Sequence, residues 1–168
     1  MIIRNIEDLR QPIELANLEE GLEIINQLEK ELANEHNGIG LAAPQIGIRK
    51  KVAIIRFKDY NINLINPTII ERKRPVIIKS EGCLSLPGML IDTQRYKEVF
   101  VKDLQKPEGF VGIGDIAIVL QHEIDHFEGI LIIDRGIGKN KVKRNSPCPC
   151  GSEINGKTVK FKKCHGKT

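Results

Sequence analysis

The chain has 168 residues, which is enough for one domain with a hydrophobic core and a small appendage. Hydrophobic residues make up 40% of it, but only 4% are aromatic and tryptophan is absent, so branched aliphatic side chains must fill the core. No apolar run approaches the ~18–20 residues that span a bilayer, and the N-terminus lacks the apolar stretch of a signal peptide. The sequence therefore argues against a membrane protein and predicts a cytoplasmic location.

Charge is distributed unevenly along the chain. The net charge is +4, yet residues 139–168 carry nine Lys or Arg against one Glu, a balance of +8 that leaves −4 for residues 1–138. A basic tail favours polyanions or acidic protein surfaces as partners. We therefore divide the sequence into a body at 1–135, a basic linker at 136–144 and a cysteine-containing tail at 145–168.

The first predicted element is an amphipathic helix over residues 17–35. Asn17 and Glu20 suit its N-cap and N3 positions, and the helix should end before Asn37-Gly38. Its apolar face is predicted from helical spacing: Leu18, Leu22, Ile25, Leu28 and Leu32. Short β-branched segments between turn residues then predict strands at 51–57, 61–65, 68–72, 75–79 and 96–104.

A second helix is predicted after the glycine-rich break at 112–115. Asp115 is expected to cap it, and it should run to about Phe127. Apolar residues surround much of its circumference, so the helix should be buried, and residues 129–133 are interpreted as a final strand. A helix, several strands and then a buried helix predict an α+β fold rather than a doubly wound sheet.

The buried helix carries the pattern H-E-x-x-H at residues 122–126. Four helical residues turn about 400°, so His122 and His126 lie on one face and can bind one ion. Glu123 follows the first histidine and can reach a water on that ion. This pattern alone suggests a zinc protease, and the alternative is a structural helix that carries two histidines by chance.

Two other segments gain meaning only beside that helix. Glu81–Ser85 offers the thiolate of Cys83, although a lone cysteine is more often a small buried hydrophobe. The Gly/Ala-rich residues 38–45 suit a tight turn or a phosphate cradle. They lack the Lys-Ser/Thr ending of a P-loop, and Ala43 stands where G-x-G-x-x-G has its last glycine.

Three segments together resemble the signature motifs of peptide deformylase, in the family's order and at similar separations: GIGLAAPQIG (38–47), EGCLSLPG (81–88) and QHEIDHFEG (121–129). The resemblance covers roughly residues 1–135. It implies removal of the formyl group from the N-terminal formyl-methionine of nascent polypeptides, with release of formate. It also implies the family's fold, with mixed or antiparallel sheets around the buried helix. The D-P-x-L-R-like stretch near the family's start and its C-terminal helix or strand are not found.

The resemblance assigns roles residue by residue. Cys83, His122 and His126 correspond to the metal ligands, with the fourth position left to water. Glu123 corresponds to the general acid/base, which takes a proton from that water and returns it to the leaving amine. Gln45 and the backbone N–H of Leu84 correspond to donors to the oxyanion. The implied metal is Fe²⁺, with Zn²⁺ or Ni²⁺ as substitutes, although the ligand types alone would indicate zinc.

Other residues are candidates for substrate binding. The backbone of Gly40 corresponds to the edge that pairs with the substrate peptide as an added strand. Ile39, Ile118 and Val119 could line the pocket for the methionine side chain. They fit equally well as ordinary core residues.

Three charged residues are candidates for supporting the ligands. Glu81 is expected to pair with Arg95 and fix the Cys83 loop, and Asp125 is expected to orient a helix or a ligand group. Each could instead be an ordinary surface charge.

The tail resembles the SEC-C zinc motif, C-x-C followed by C-H. Its four candidate ligands would form a closed, structural Cys₃His zinc site: Cys148, Cys150, Cys164 and His165. Zinc would then supply the folding energy that so polar a segment lacks. Residues 153–158 should form a hairpin with a turn at Asn155-Gly156. The alternative is a disordered tail with free thiols.

The tail also suggests a partner. Such a basic motif could dock the enzyme on the ribosome or on a protein partner, while the body acts on the nascent formyl-methionyl chain. Two other functions stay open for the whole protein. One is a related amidase acting on a different N-acyl group, and the other is a non-catalytic metal-stabilised binding module, which the presence of Glu123 and Gln45 disfavours.

Overall fold

In a computed structural model of the chain, the structure describes residues 1–137, Asn145, 153–154 and 157–160. The four candidate zinc ligands of the tail, Cys148, Cys150, Cys164 and His165, lie outside the described residues, and so do linker residues 138–144. Among the residues that are described, no helix has both the length and the apolar character needed to cross a bilayer.

Four helices and eight strands are described, together with a 3₁₀ turn at Ala43–Ile46. The helices are α1 (Ile6–Leu9), α2 (Leu18–Leu32), α3 (Asp115–Phe127) and α4 (Ile132–Arg135). The strands are β1 (Gly40–Ala42), β2 (Val52–Phe57), β3 (Tyr60–Ile65), β4 (Thr68–Glu81), β5 (Ile91–Lys102), β6 (Phe110–Ile113), β7 (Glu153–Ile154) and β8 (Lys157–Thr158). They pair in three antiparallel sheets, β1-β2-β3, β4-β5-β6 and β7-β8, so the α+β prediction is confirmed.

The N-terminal end of α2 forms as its sequence predicts. The Asn17 side chain accepts a hydrogen bond from the Glu20 N–H at 2.9 Å, and the Glu20 carboxylate accepts one from the Asn17 N–H at 3.4 Å. The helix ends at Leu32 rather than at residue 35. Leu18 and Leu22 are 50% and 44% exposed, so the buried face is narrower than predicted.

One long strand replaces the two predicted at 68–72 and 75–79. Antiparallel pairing with β5 continues from Lys73 opposite Glu98 to Pro75 opposite Tyr96, so no turn forms between the two segments. Arg74 instead adopts a left-handed φ of 57° within the strand. The position of β4 at the edge of its sheet tolerates the proline, which cannot donate to a ladder. The partner strand also begins earlier than predicted, at Ile91.

The first residue of α3 and the segments beside it differ from the prediction. Gly114, not Asp115, is the N-cap of α3, and Gly112 and Ile113 belong to β6. Residues 129–133 do not form a strand, because Asp134 accepts a hydrogen bond from the Leu131 N–H at 2.9 Å and closes the first turn of α4. α1 was not predicted, because four residues are too few to show a helical period.

The prediction that α3 is buried is confirmed. Ten of its thirteen residues are buried, and its apolar side chains pack on those of β2, β3 and β5. Leu120 lies fully buried at the centre of this contact, against the β-sheet residues. Burial on nearly every side fixes the position and the axial rotation of the helix, and therefore where its polar side chains point.

We predict that Leu120→Ala lowers the free energy of unfolding by about 2–5 kcal/mol, because it leaves a cavity where the helix packs on the sheets. Urea denaturation followed by circular dichroism measures this. Leu22→Ala on α2 is the matched control, because Leu22 is 44% exposed and its truncation should cost less than about 0.5 kcal/mol. Equal losses in both variants would contradict the packing described for α3.

Candidate metal centre and active site

Three segments that are distant in sequence meet in one cleft. They are β1 with the 3₁₀ turn after it, the turn around Cys83 that follows β4, and the side of α3 that carries His122 and Glu123. A backbone hydrogen bond of 2.9 Å from the Leu86 N–H to the Cys83 carbonyl closes the second of these segments. Two apolar residues that follow Cys83 pack with α1 and α4, namely Leu86 and Met89. This packing anchors the turn to the body.

Cys83, His122 and His126 converge beside the cleft, and Cys83 and His122 line it. One donor atom from each lies within 4.8 Å of those of the other two, as a single cation requires. Cys83 Sγ lies 3.6 Å from Nε2 of His126, and the two imidazole rings meet edge to face with centroids 5.3 Å apart. His126 is fully buried, whereas His122 and Cys83 are partly accessible from the cleft. A thiolate and two imidazoles form a donor set typical of zinc and iron.

The electrostatics of this cluster favour the thiolate form of the cysteine. Burial by itself would raise the pKa of Cys83, but the His126 and His122 imidazoles lower that pKa well below its usual value. The same interaction, together with the Glu81 carboxylate, raises the pKa of His122 against the effect of burial. The anionic form that a metal ligand needs is therefore the stable one here.

Glu123 places a buried carboxylate beside the three ligands. The residue is 3% exposed, and its Oε2 has no hydrogen-bond partner among the described residues. Burial raises the pKa of Glu123 to about 7, although the nearby His122 and His126 act to lower it. The carboxylate faces β1 closely, since a Cβ added at Gly40 would lie 3.0 Å from Glu123 Cδ. A carboxyl group with such a pKa can both accept and return a proton near neutral pH.

The Gln45 side chain is held rigidly on the other wall of the cleft. It is 1% exposed, and its Oε1 accepts a hydrogen bond from the Ala42 N–H at 2.9 Å. This contact fixes which end of the amide faces the cluster. Its Nε2 donates to Ser85 Oγ at 3.2 Å and lies 3.7 Å from Cys83 Sγ. The amide N–H groups are thus aimed at the ligand cluster.

A buried carboxylate orients His122 from behind. Glu81 Oε1 lies 2.7 Å from His122 Nδ1, which leaves Nε2 of that ring for the cleft side. Arg95 grips the same carboxylate in a bidentate ion pair, with Nη2 to Oε1 at 2.6 Å and Nε to Oε2 at 3.0 Å. Thr93 Oγ1 adds a third donor to it. Burial acts to raise the pKa of Glu81, but His122 and Arg95 outweigh it and lower the pKa to about 2.

Comparisons with known proteins agree with this geometry. The sequence model of the polypeptide deformylase family matches residues 5–143. The peptide deformylase of Dictyoglomus thermophilum is 37% identical over 146 residues, which cover 81% of this chain and 94% of that protein. That of Syntrophomonas wolfei is 45% identical over 104 residues, 60% of this chain and 68% of that one.

The chain belongs to the peptide deformylase family. The fold agrees, because a Legionella pneumophila peptide deformylase matches with a TM-score of 0.73 and 32% identity, over 84% of this chain and 88% of that one. A Synechococcus elongatus peptide deformylase, solved in complex with actinonin, matches with a TM-score of 0.74 and 34% identity, over 84% and 80% of the two chains. Members of the family are metal-dependent hydrolases of the N-terminal formyl amide, and this deformylase is one of those enzymes.

The ion-pair network of this deformylase extends beyond the residues selected from the sequence. Arg95 Nη1 also contacts Asp125 Oδ2 at 2.5 Å, and Asp125 is held in turn by Arg135 on α4. Thr93 and Ser85 were missed as well. Ser85 lies within the second motif and could have been chosen on that ground, whereas no sequence pattern marks Thr93 or Arg135.

The cleft itself has a volume of about 640 Å³ and is lined by both polar and apolar groups. Ile39, Ile118 and Val119 all line it, and so do Gly40 and Leu84. Ile39 is 41% exposed at the mouth, while Val119 is 7% exposed and also packs in the core beneath. Val119 therefore lines the cleft and packs in the core at the same time.

We predict that Gly40→Ala lowers kcat/KM on the order of 100-fold, since the new methyl group would displace the Glu123 carboxylate. Formate release from a formyl-methionyl peptide measures this. Gly82→Ala is the matched control in the same cleft, because a methyl group there would lie 3.5 Å from a Leu90 side-chain carbon and 3.9 Å from the Met89 carbonyl oxygen, both ordinary contact distances. Retained activity in Gly40→Ala would contradict the close approach of β1 to Glu123.

Proposed function

We propose that this enzyme removes the formyl group from the N-terminal formyl-methionine of nascent polypeptides and releases formate, in the cytoplasm. The observation that carries the proposal is the convergence of three donor atoms within 4.8 Å of one another, beside the buried carboxylate of Glu123, whose Oε2 has no hydrogen-bond partner among the described residues. Family membership supplies the reaction type. The cleft supplies room for the end of a peptide beside these groups.

Cys83, His122 and His126 would hold the catalytic metal, which we propose to be Fe²⁺, with Zn²⁺ or Ni²⁺ as substitutes. The residues fit such an ion, because their donor atoms converge and the cysteine favours its thiolate form. Three protein ligands leave a coordination position open, as catalytic sites require. A bound divalent cation acts as a Lewis acid that makes water nucleophilic at neutral pH.

Glu123 would serve as the general acid/base. Its carboxylate is buried, lacks a partner among the described residues and has a pKa raised to about 7. It can therefore take a proton from the attacking water and later give it to the leaving amine nitrogen of methionine, which completes cleavage of the C–N bond. Positioned proton transfer of this kind contributes typically 10²–10⁴-fold to a rate.

Gln45 and the Leu84 backbone N–H would stabilise the negative charge that develops on the formyl oxygen. The support is the orientation of the Gln45 amide, fixed by Ala42 and Ser85 so that Nε2 faces Cys83. Leu84 follows Cys83 directly and lines the same cleft. Donors fixed before the reaction need no reorganisation as charge develops, and each contributes about 2.7–4 kcal/mol in comparable sites.

The substrate peptide would pair with the backbone of Gly40. β1 is an edge strand in the order β1-β2-β3, so one of its sides is available for an added strand. Ile39, Ile118 and Val119 would contact the methionine side chain, since all three line the cleft. A related amidase acting on another N-acyl group is the second candidate, because these contacts select the side chain rather than the acyl group.

For the tail we propose a separate structural zinc site formed by Cys148, Cys150, Cys164 and His165. Its support in the described residues is a pair of short strands: Glu153 pairs with Thr158 and Ile154 with Lys157, as a hairpin over 153–158 requires. We further propose that the tail, 145–168, docks the enzyme on the ribosome or a protein partner. It would follow a catalytic body at 1–135 and a basic linker at 136–144.

Backbone contacts with the body continue for two residues beyond residue 135. Gly136 forms a β-bridge with Thr93, and the Ile137 N–H donates to the Asp92 carbonyl at 2.8 Å. A shortened chain should therefore end no earlier than Ile137.

We predict that the intact, Fe²⁺-loaded enzyme, purified without oxygen, releases formate from formyl-methionyl peptides and leaves acetyl-methionyl peptides intact. Glu123→Gln should lower kcat by at least about 100-fold while keeping the metal, because it removes the proton carrier but none of the ligands. Formate and metal content are measured on the same samples.

Glu128→Gln is the matched control for that prediction. Glu128 lies at the exposed end of the same helix and pairs with Lys51, so its substitution should change neither quantity. No formate from the metal-loaded wild type would refute the proposed reaction, and release of acetate at a similar rate would favour the amidase.

We predict two metal ions per intact chain and one in a chain that ends at Ile137. Elemental analysis after dialysis measures both. The same pair of proteins tests the docking proposal, because deletion of the basic tail should reduce co-sedimentation with ribosomes at low salt. Equal metal content in the two chains would refute the zinc site, and equal co-sedimentation would refute ribosome docking.

A further inference from the structure

Arg135 ends α4 and grips a carboxylate on the buried helix α3. Its Nη2 lies 2.7 Å from Asp125 Oδ1 and its Nε lies 3.0 Å from Asp125 Oδ2, which is bidentate fork geometry. The Arg135 side chain is 39% exposed, whereas that of Asp125 is 11% exposed. The contact therefore connects the protein surface to the interior.

From Asp125 an unbroken series of charged contacts leads to the proposed metal ligand His122. Asp125 Oδ2 contacts Arg95 Nη1 at 2.5 Å, Arg95 holds both oxygens of Glu81, and Glu81 Oε1 lies 2.7 Å from His122 Nδ1. The side chains of Arg95 and Glu81 are 2% and 7% exposed. Each of these groups can satisfy its charge only through its neighbours.

We infer that Arg135 is a positioning residue for the metal centre, acting on the orientation of His122 through Asp125, Arg95 and Glu81. The inference rests on the proposed role of His122 as a metal ligand. Arg135 neither lines the cleft nor contacts the three ligands, so the contacts just described are the route by which it would act on them.

Charge balance explains why one surface arginine matters to the site. Two guanidinium groups and two carboxylates share the network, and Arg95 lies between both carboxylates. With Arg135 in place, Asp125 is already held by two nitrogens, and Arg95 can give two of its nitrogens to Glu81. Without Arg135, Asp125 would depend on Arg95 alone and would compete with Glu81 for it. The Glu81 carboxylate would then hold the His122 ring less firmly.

Two simpler explanations of the Arg135 contact predict different experimental results. If Arg135 only tethers α4, the loss of Arg10, which holds the same helix through Asp134, should change the metal site as much as the loss of Arg135 does. If it acts only through its positive charge, its loss should make the site hold a cation more tightly. Loosened ligand orientation has the opposite sign, since a less fixed imidazole releases the ion faster.

Arg10 supplies the matched control. Its Nη2 lies 2.8 Å and 2.9 Å from the two carboxylate oxygens of Asp134, which is also on α4, and its side chain is 41% exposed. It thus resembles Arg135 in charge, in exposure and in the helix it holds. Its contact is not part of the series that leads to His122.

The test uses the full chain carrying Cys148→Ser, Cys150→Ser and Cys164→Ser, so that the proposed tail site adds no thiolate ligands, and loads it with Co²⁺, which reports ligand geometry through its visible absorption bands. Four proteins are compared: this parent, called wild type below, and its Arg135→Gln, Arg135→Lys and Arg10→Gln variants. The rate of Co²⁺ loss to excess chelator and the absorption spectrum are measured well below the unfolding temperature, and thermal unfolding is recorded separately.

We predict that Arg135→Gln loses Co²⁺ about tenfold faster than wild type and shifts the absorption bands. Arg135→Lys keeps the charge but not the fork, so it should lose the ion faster as well, by a smaller factor. Arg10→Gln should match wild type in both readouts, whatever its stability. Slower or unchanged loss in Arg135→Gln, or a Lys variant that matches wild type, would overturn the inference.

A double variant tests the route. If Arg135 acts through Glu81, Arg135→Gln should have no further effect on Co²⁺ loss when Glu81→Gln is already present. Should Glu81→Gln fail to fold, the comparison of the Lys and Gln variants at residue 135 still decides. If wild type shows no thiolate-to-Co²⁺ absorption, the proposed metal site itself fails. A normal wild-type spectrum with four equal loss rates rejects only the role of Arg135.

Discussion

The short contact between Glu81 and His122 is the interaction on which the rest of the proposed site depends. Glu81 as a residue is only 9% exposed, and its carboxylate would be costly to bury alone. The bidentate pair with Arg95 offsets that cost. Once held, Glu81 fixes both the tautomer and the plane of the His122 ring. The ring in turn fixes where Cys83 and His126 can share an ion. One buried anion thus connects the strand β4, which ends at Glu81, to the helix α3.

Burial makes these charged groups costly in free energy, and it also shifts the pKa values of their carboxylates. α3 is packed on nearly every side, which leaves His122 and Glu123 to line the cleft and Asp125 to contact Arg95. Glu81 and Glu123 are both buried carboxylates, yet their pKa values differ widely, at about 2 and about 7. Glu81 accepts hydrogen bonds from Arg95 that stabilise its charge, while Glu123 Oε2 has no hydrogen-bond partner in the described part of the chain. Their environments therefore suit them to opposite tasks, a fixed anion and a proton carrier.

The sequence was sufficient for the elements whose pattern is local. α2 and α3 formed near their predicted positions because capping residues and helical periodicity both lie within a few residues. Prediction failed where a segment is too short to show a period and where tertiary contacts decide. Residues 129–133 are a short apolar run that fits a strand or a helix equally well, and only the Asp134 bond to Leu131 settles it. Arg74 gave no sign that β4 would continue through a left-handed residue. Arg135 lies outside every motif, because its role depends on which carboxylate α4 meets.

The end of the body shows why motif boundaries and functional boundaries differ. The third motif ends at Gly129, yet the chain that follows turns back onto the site, with Leu131 and Ile132 packing in the cluster that includes Leu86 and Cys83. α4 therefore supports both sides of the metal centre. Its apolar residues hold the Cys83 turn, and Arg135 reaches the network behind His122. Because the proposed Cys and His ligands come from separate segments, their separation depends on an element that packs on the Cys83 turn and also reaches the ion pairs behind His122. In this protein that element is a helix of four residues.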